Sequence, residues 1–195
     1  MIKEQPNPKR EIDAAAKERI RSLYDGLARR RSRFRRLNSY YHRELLRMLK
    51  FIIPEGERVL EIGCGDGWLL RELKPSFGLG VDISPAMVDC AREEVKPEEP
   101  LQFEVADIEN VGFTEKFDFV VMSDLIGNLM DVQQALENVR SACHEKTRIV
   151  INYHSILWEP VLKLAARLSL KMPNQHQNWI SLADMQHFVT LSDLE

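Results

Sequence analysis

The sequence predicts an α/β domain, a doubly wound and mostly parallel sheet preceded by N-terminal helices. Three observations carry that prediction. From Val59 onward, short apolar runs alternate with stretches whose apolar residues recur at helical intervals, the pattern of successive βαβ units. The first run, within VLEIGCGDG, passes through three alternate glycines straight into the helix-like WLLREL. The next three runs each end in an acid: Asp82, Asp107 and Asp124. Strands this apolar need helices over both faces of the sheet.

Residues 1 to 10 hold Pro6 and Pro8 among charges and read as a loose tail. From Glu11 to Ala28, the residues Ile12, Ala16, Ile20, Leu23 and Leu27 recur at helical spacing and predict an amphipathic helix. RRRSRFRRL then places six arginines between Arg29 and Arg36. A second helix is predicted from Ser39 to Phe51, with Tyr41, Leu45, Leu46, Met48 and Leu49 as its apolar face; Pro54 ends it. After the glycine turn, FGLGVDI (77–83) is the second strand. The helix SPAMVDCAREEV follows, with Ser84 as N-cap and Pro85 at its first position. LQFEVAD (101–107) and FDFVVMSD (117–124) are the third and fourth strands. A helix from Asp131 to Cys143 leads to a fifth strand, TRIVINYHS, starting at Thr147. Beyond it lie a helix from Trp158 to Leu170, a loop KMPNQHQNW, and a short helix in SLADMQHFV capped by Ser181.

With 195 residues, 44% of them hydrophobic, the chain can bury one sizeable core. Its net charge of −3 hides an asymmetry: residues 1 to 50 hold 15 Lys+Arg against 6 Asp+Glu, which leaves 12 against 24 in the remainder. The N-terminal 54 residues are therefore expected to be a basic helical segment packed on a domain that spans 55–195. The arginine cluster reads first as a solvated helix face. An anionic membrane surface contacted through Arg29–Arg36 is the functional alternative. With one Phe and no interleaved aromatics, the cluster offers little for stacking bases, so nucleic acid is not expected. Cys64, Cys90 and Cys143 are scattered, without disulfide or zinc spacing, and fit a reducing cytoplasm. No run of about 18 apolar residues and no apolar signal core is present, so neither a spanning helix nor a secretory peptide is expected.

Glycines at a strand-to-helix turn allow positive φ and let a ligand approach bare backbone. The spacing at Gly63, Gly65 and Gly67 excludes two common nucleotide sites. A dinucleotide fingerprint needs a sixth-position glycine where this chain has Trp68. A phosphate-binding loop needs Gly-Lys-Ser/Thr, which is lacking. Ligands of open parallel sheets bind at the carboxyl ends of the strands. Those ends carry Glu61, Asp82, Asp107, Ser123/Asp124 and Asn152/Tyr153/His154. One carboxylate there is as readily a helix cap as a ligand; three in register with a glycine turn point to a nucleoside-binding edge.

VLEIGCGDG, GVDIS, VADIE and FDFVVMSD, in that order, resemble the motifs of class I S-adenosylmethionine-dependent methyltransferases across residues 40–154. The resemblance implies a Rossmann-like sheet of order 3-2-1-4-5 with S-adenosylmethionine as cofactor and S-adenosylhomocysteine as product. It implies that Gly63, Cys64 and Gly65 line the cofactor's methionine and ribose and that Asp82 accepts from both ribose hydroxyls. It also implies that Asp107 accepts from the adenine amine, with Ile83 and Ile108 flanking the ring. Glu61 would order the turn and the methionine ammonium, which the Ser123 backbone also meets. Ionised carboxylates, being pure acceptors, suit these donors. Methyl transfer from a sulfonium asks the protein mainly to align the partners, with a base only where the nucleophile holds a proton. His154, then Tyr153, are the expected bases; Tyr40 or Tyr41 is expected to cover the site, and Gly127-Asn128 to line an acceptor pocket or turn the chain. No metal is expected.

The resemblance implies a closing C-terminal β-hairpin that is missing here and leaves the fifth strand an open edge, so the chain is expected to be a fragment, with cover of that edge by another subunit as the alternative. The leading expectation is methyl transfer to oxygen or nitrogen of a small or carrier-linked acceptor. The region from Trp158 to Trp179 is rich in aromatic and amide groups, and the sequence in its general look resembles methyltransferase modules of bacterial envelope-sugar pathways, a resemblance that implies a sugar acceptor. The rival is a module that binds the nucleoside without turnover and docks a partner through the basic helices.

Overall fold

A computed structural model describes residues 2–4, 10–153 and 180–194. The N-terminal segment folds as α1 (Arg10–Leu27), a short 3-10 turn (Ala28–Arg30), α2 (Arg31–Leu37) and α3 (Ser39–Ile52). The tail is not wholly loose: β1 (Ile2–Glu4) pairs antiparallel with β5 (Val111–Phe113). Three residues on each strand are too few for an alternation to show in sequence.

Five parallel strands form the main sheet. β2 (Arg58–Ile62) lies at its centre between β3 (Phe77–Asp82) and β6 (Phe117–Ser123), with β4 (Leu101–Val105) and β7 (Cys143–Asn152) outside them. The order β4-β3-β2-β6-β7 is the expected 3-2-1-4-5. Between strands run α4 (Trp68–Leu73), α5 (Pro85–Glu93) and α6 (Val132–Arg140), and α7 (Leu182–Leu191) follows.

Two apolar clusters cover the two faces of the sheet. Leu60, Ile62, Leu79, Val81, Val120 and Met122 pack on α6 through Val132, Leu136 and Val139. On the other face, Val59, Phe119 and Val121 meet α4 and α5, together with Leu45, Leu49 and Ile53 from α3 and the residue after it. The third helix is thus a wall of the core. β3 accommodates Phe103 because Gly80 has no side chain: a Cβ there would stand 2.5 Å from the ring.

The expected caps are in place. Ser84 accepts from Met87 N at 3.1 Å with Pro85 beginning α5, and Ser181 makes a reciprocal capping box with Asp184. Two boundaries differ from expectation. α6 stops at Arg140, where Ala142 N closes on Val139 O, and β7 begins at Cys143. The strand then bulges between pairings of Cys143 with Phe117 and Arg148 with Phe119, so its regular part starts near the predicted Thr147. The predicted helix from Trp158 and the loop through Trp179 lie outside the described residues. No helix among the described residues is long and apolar enough to cross a membrane.

Candidate active site

β2 delivers the chain into the glycine turn, which is tied back to β3: Gly63 N and Cys64 N both donate to Val81 O, at 2.8 and 3.0 Å. Gly65, at φ +54, donates its N–H to Asp82 Oδ2 at 2.8 Å. A Cβ on Gly65 would meet the Arg31 guanidinium at 2.6 Å, so bare backbone here forms a cradle for whatever lies on it.

The acids around this turn differ in environment. Glu61 is 3% exposed, and its Oε2 has no hydrogen-bond partner. Burial pushes its pKa up to about 8, opposed by Arg31 and assisted by Asp66. Asp82 receives Gly65 N and Ser84 N. Burial raises its pKa, while those two donors and Arg31 lower it. Asp107, at the next strand tip, accepts from Lys17 Nζ at 2.6 Å and from Asn110 Nδ2 at 2.7 Å. Burial opposes the charge on Lys17, yet Asp107 and Glu109 outweigh it and raise the lysine's pKa.

The N-terminal helices lie over these acids. From α1, Lys17 reaches Asp107, and Asp25 accepts from Ser84 Oγ at 2.6 Å and Ala86 N at 3.2 Å. Tyr24, held by Asn128, sits within electrostatic reach of Arg31, Asp82 and Asp124; burial raises its pKa to about 12. From α2, Arg31 lies on Gly65, and Arg35 pairs with Asp66 while its guanidinium stands 5.1 Å over the Trp68 ring. From α3, the Tyr41 hydroxyl donates to Asp124, which adopts a left-handed φ of +53; Asn152 Nδ2 approaches both at 3.2 Å. His42 stands edge-on to Tyr41 and Trp68. Its pKa falls below 6.5, through burial first and Arg31 second. The remaining cavity is about 60 Å³, lined by Arg31, His42, Glu61, Gly63, Ser123 and Asp124 among others.

Glu61, Gly63, Cys64 and Ser123 thus meet in one cleft; Gly65 and Asp82, bonded to each other, are not among the described residues that line it. Tyr41 joins through Asp124. Ile83 is half-buried at the same edge, whereas Ile108 is buried in the α6-side core. Tyr153 packs against that core too and is not among the described residues lining the cleft. His154 lies outside the described residues. The solvated arginine face needs correction: Arg31 and Arg35 turn inward because the glycine turn brings Asp66 beneath them. Lys17, Tyr24, Arg31, Arg35 and His42 are site residues that sequence reasoning missed. The lone acid inside GCGDG, facing an arginine-rich segment, is the signal that could have found two of them.

A family model described as a methyltransferase domain matches residues 30–195. A malonyl-[acyl-carrier protein] O-methyltransferase of Magnetococcus marinus is 36% identical over 117 residues, covering 52% of this chain and 43% of the relative. The chain spans less than half the length of the first curated relatives it matches. Two solved structures share the fold at a TM-score of 0.71. One is a possible histamine N-methyltransferase from Thermotoga maritima, 19% identical, with coverage of 89% of this chain and 80% of that one. The other is a DhpI–SAH complex, 18% identical, with coverage of 90% and 86%.

Proposed function

The chain belongs to the class I S-adenosylmethionine-dependent methyltransferases, and from that premise we propose that it transfers a methyl group to oxygen or nitrogen of a small or carrier-linked acceptor. The observation that carries the site assignment is the buried, unpartnered Glu61 Oε2 beside the bare backbone of Gly65 and the carboxylate of Asp82. A cationic ammonium would partner that oxygen, a ribose diol suits Asp82, and the missing Cβ of Gly65 leaves room for the ligand between them. S-adenosylmethionine, when bound, supplies a methyl group on a sulfonium that is already a leaving group.

The chain's own residues hold the cofactor, cover it and supply a base. Glu61 holds the ammonium, Asp82 the ribose, and Asp107 the adenine amine. Arg31, lying on Gly65, is placed to pair with the methionine carboxylate as it cedes the cradle. The cover formed by α1 and α2 excludes water. For an acceptor that still holds its proton, His42 is the base placed in the cleft: its depressed pKa leaves the imidazole neutral at pH 7.

The relative acting on malonyl-[acyl-carrier protein] favours a carrier-linked acceptor over a free sugar. Calorimetry with S-adenosylmethionine, S-adenosylhomocysteine and NAD tests the cofactor, and label transfer into acyl-carrier, small-molecule and sugar pools tests the reaction. Binding of the first two without NAD, with label in one pool, is expected. Tight binding with no label in any pool would favour the non-catalytic module.

A further inference from the structure

We propose that the outward face of α3, with the exposed arginines of α2 beside it, is a docking surface for an anionic lipid bilayer. α3 is apolar on two sides. Its inner stripe, Leu45 and Leu49, is buried in the core, while Tyr40, Met48 and Phe51 on the opposite side are 72, 52 and 91% exposed. Tyr40, Glu44, Arg47, Met48 and Phe51 recur at intervals of three and four, which sets them on one stripe. Arg43 and Arg47 on α3 are exposed within a turn of these residues, and Arg33 and Arg36 on the preceding α2 are exposed as well. Glu44, the one acid between Ala28 and Phe51, is bonded to Arg47 at 2.6 Å.

Charge and shape select the occupant. Residues beyond 50 carry 24 acids against 12 basic residues, so an anionic surface attracts this end of the molecule and repels the rest, fixing its orientation. The apolar groups project from a convex helix; protruding rings of this kind insert into a deformable interface, with flanking arginines at headgroup level. The chain's own segment 158–171 offers no charge complement, since it carries Lys163, Arg167 and Lys171 against Glu159. Arg31 and Arg35 are engaged inside, so the surface is not the whole run from Arg29 to Arg36. The same helices cover the cleft with their inner faces, and docking therefore sets that cover at the membrane.

Sedimentation of the full chain with vesicles of phosphatidylcholine, alone or mixed equally with phosphatidylglycerol, tests the proposal. Binding is expected to the mixed vesicles only and to fade as ionic strength rises. Arg43→Glu with Arg47→Glu should weaken it at least tenfold, from about fivefold per cation. Phe51→Ser should also weaken it, while Arg43→Lys with Arg47→Lys retains it. S-adenosylmethionine affinity, measured on the same samples, should not change, which separates a failed surface from a failed cofactor site. The proposal is overturned by absence of binding at low salt, by equal binding to both vesicle types, by insensitivity to both disruptive variants, or by variant-sensitive capture of an acidic carrier protein without vesicle binding.

Discussion

At the residue scale, the site depends on one buried carboxyl whose environment works against its charge. Glu61 has a pKa of about 8 in the fold against an ordinary 4.5, so the folded chain holds a proton there that the unfolded chain releases. Its contribution to stability is complete below 4.5 and is lost as pH climbs through 8. Glu61→Gln removes that loss: the variant should gain stability over the wild type across this interval, with the two converging in acid, as followed by urea midpoints at a series of pH values. The same carboxyl must ionise to hold an ammonium, so cofactor binding near neutrality should release a proton, seen as a buffer-dependent binding enthalpy. His42 moves the other way. Its lowered pKa predicts turnover on a protic acceptor that rises with pH through a midpoint below that of an ordinary histidine, and His42→Ala should cut kcat by ~10²-fold or more with cofactor affinity kept.

At the element scale, what the sequence reveals depends on how local the information is. The strands, the Ser84 and Ser181 caps, and Pro85 at the first helical position of α5 were legible, because alternation and capping are settled within a few neighbouring residues. β1 and β5 were not, and neither was the bulge that lets β7 start at Cys143. The direction of the arginines was hidden for a different reason. Arg31 and Arg35 have the same local pattern as Arg33 and Arg36, and only Asp66, more than thirty residues on, turns the first pair inward. Tyr41 has the spacing of a core residue and the place of a cover; its hydroxyl binds Asp124, at the carboxyl end of β6. Two variants test these placements. Lys17→Met removes the cation that occupies Asp107 and should tighten S-adenosylmethionine binding several-fold, as measured by calorimetry. Gly80→Ala drives a methyl into the Phe103 ring and should cost about 1–3 kcal/mol in urea unfolding.

At the scale of the whole molecule, the parallel sheet gathers acids onto one edge, and a basic helical segment folds over them. Without that cover Asp66, Asp82 and Asp107 would repel one another; with it, Arg31, Arg35 and Lys17 supply the balancing charge until a cationic cofactor takes over part of the task. The arrangement explains why residues 1–50 are basic while the remainder of the chain is acidic. The most direct test is calorimetric titration of the wild type and Asp82→Asn with S-adenosylmethionine. Asparagine keeps an acceptor for Gly65 N but loses the charge offered to the ribose diol. Affinity should fall ~10–100-fold, the loss of charged hydrogen bonds worth about 1.5–3 kcal/mol. Equal affinity in the two proteins would contradict the account.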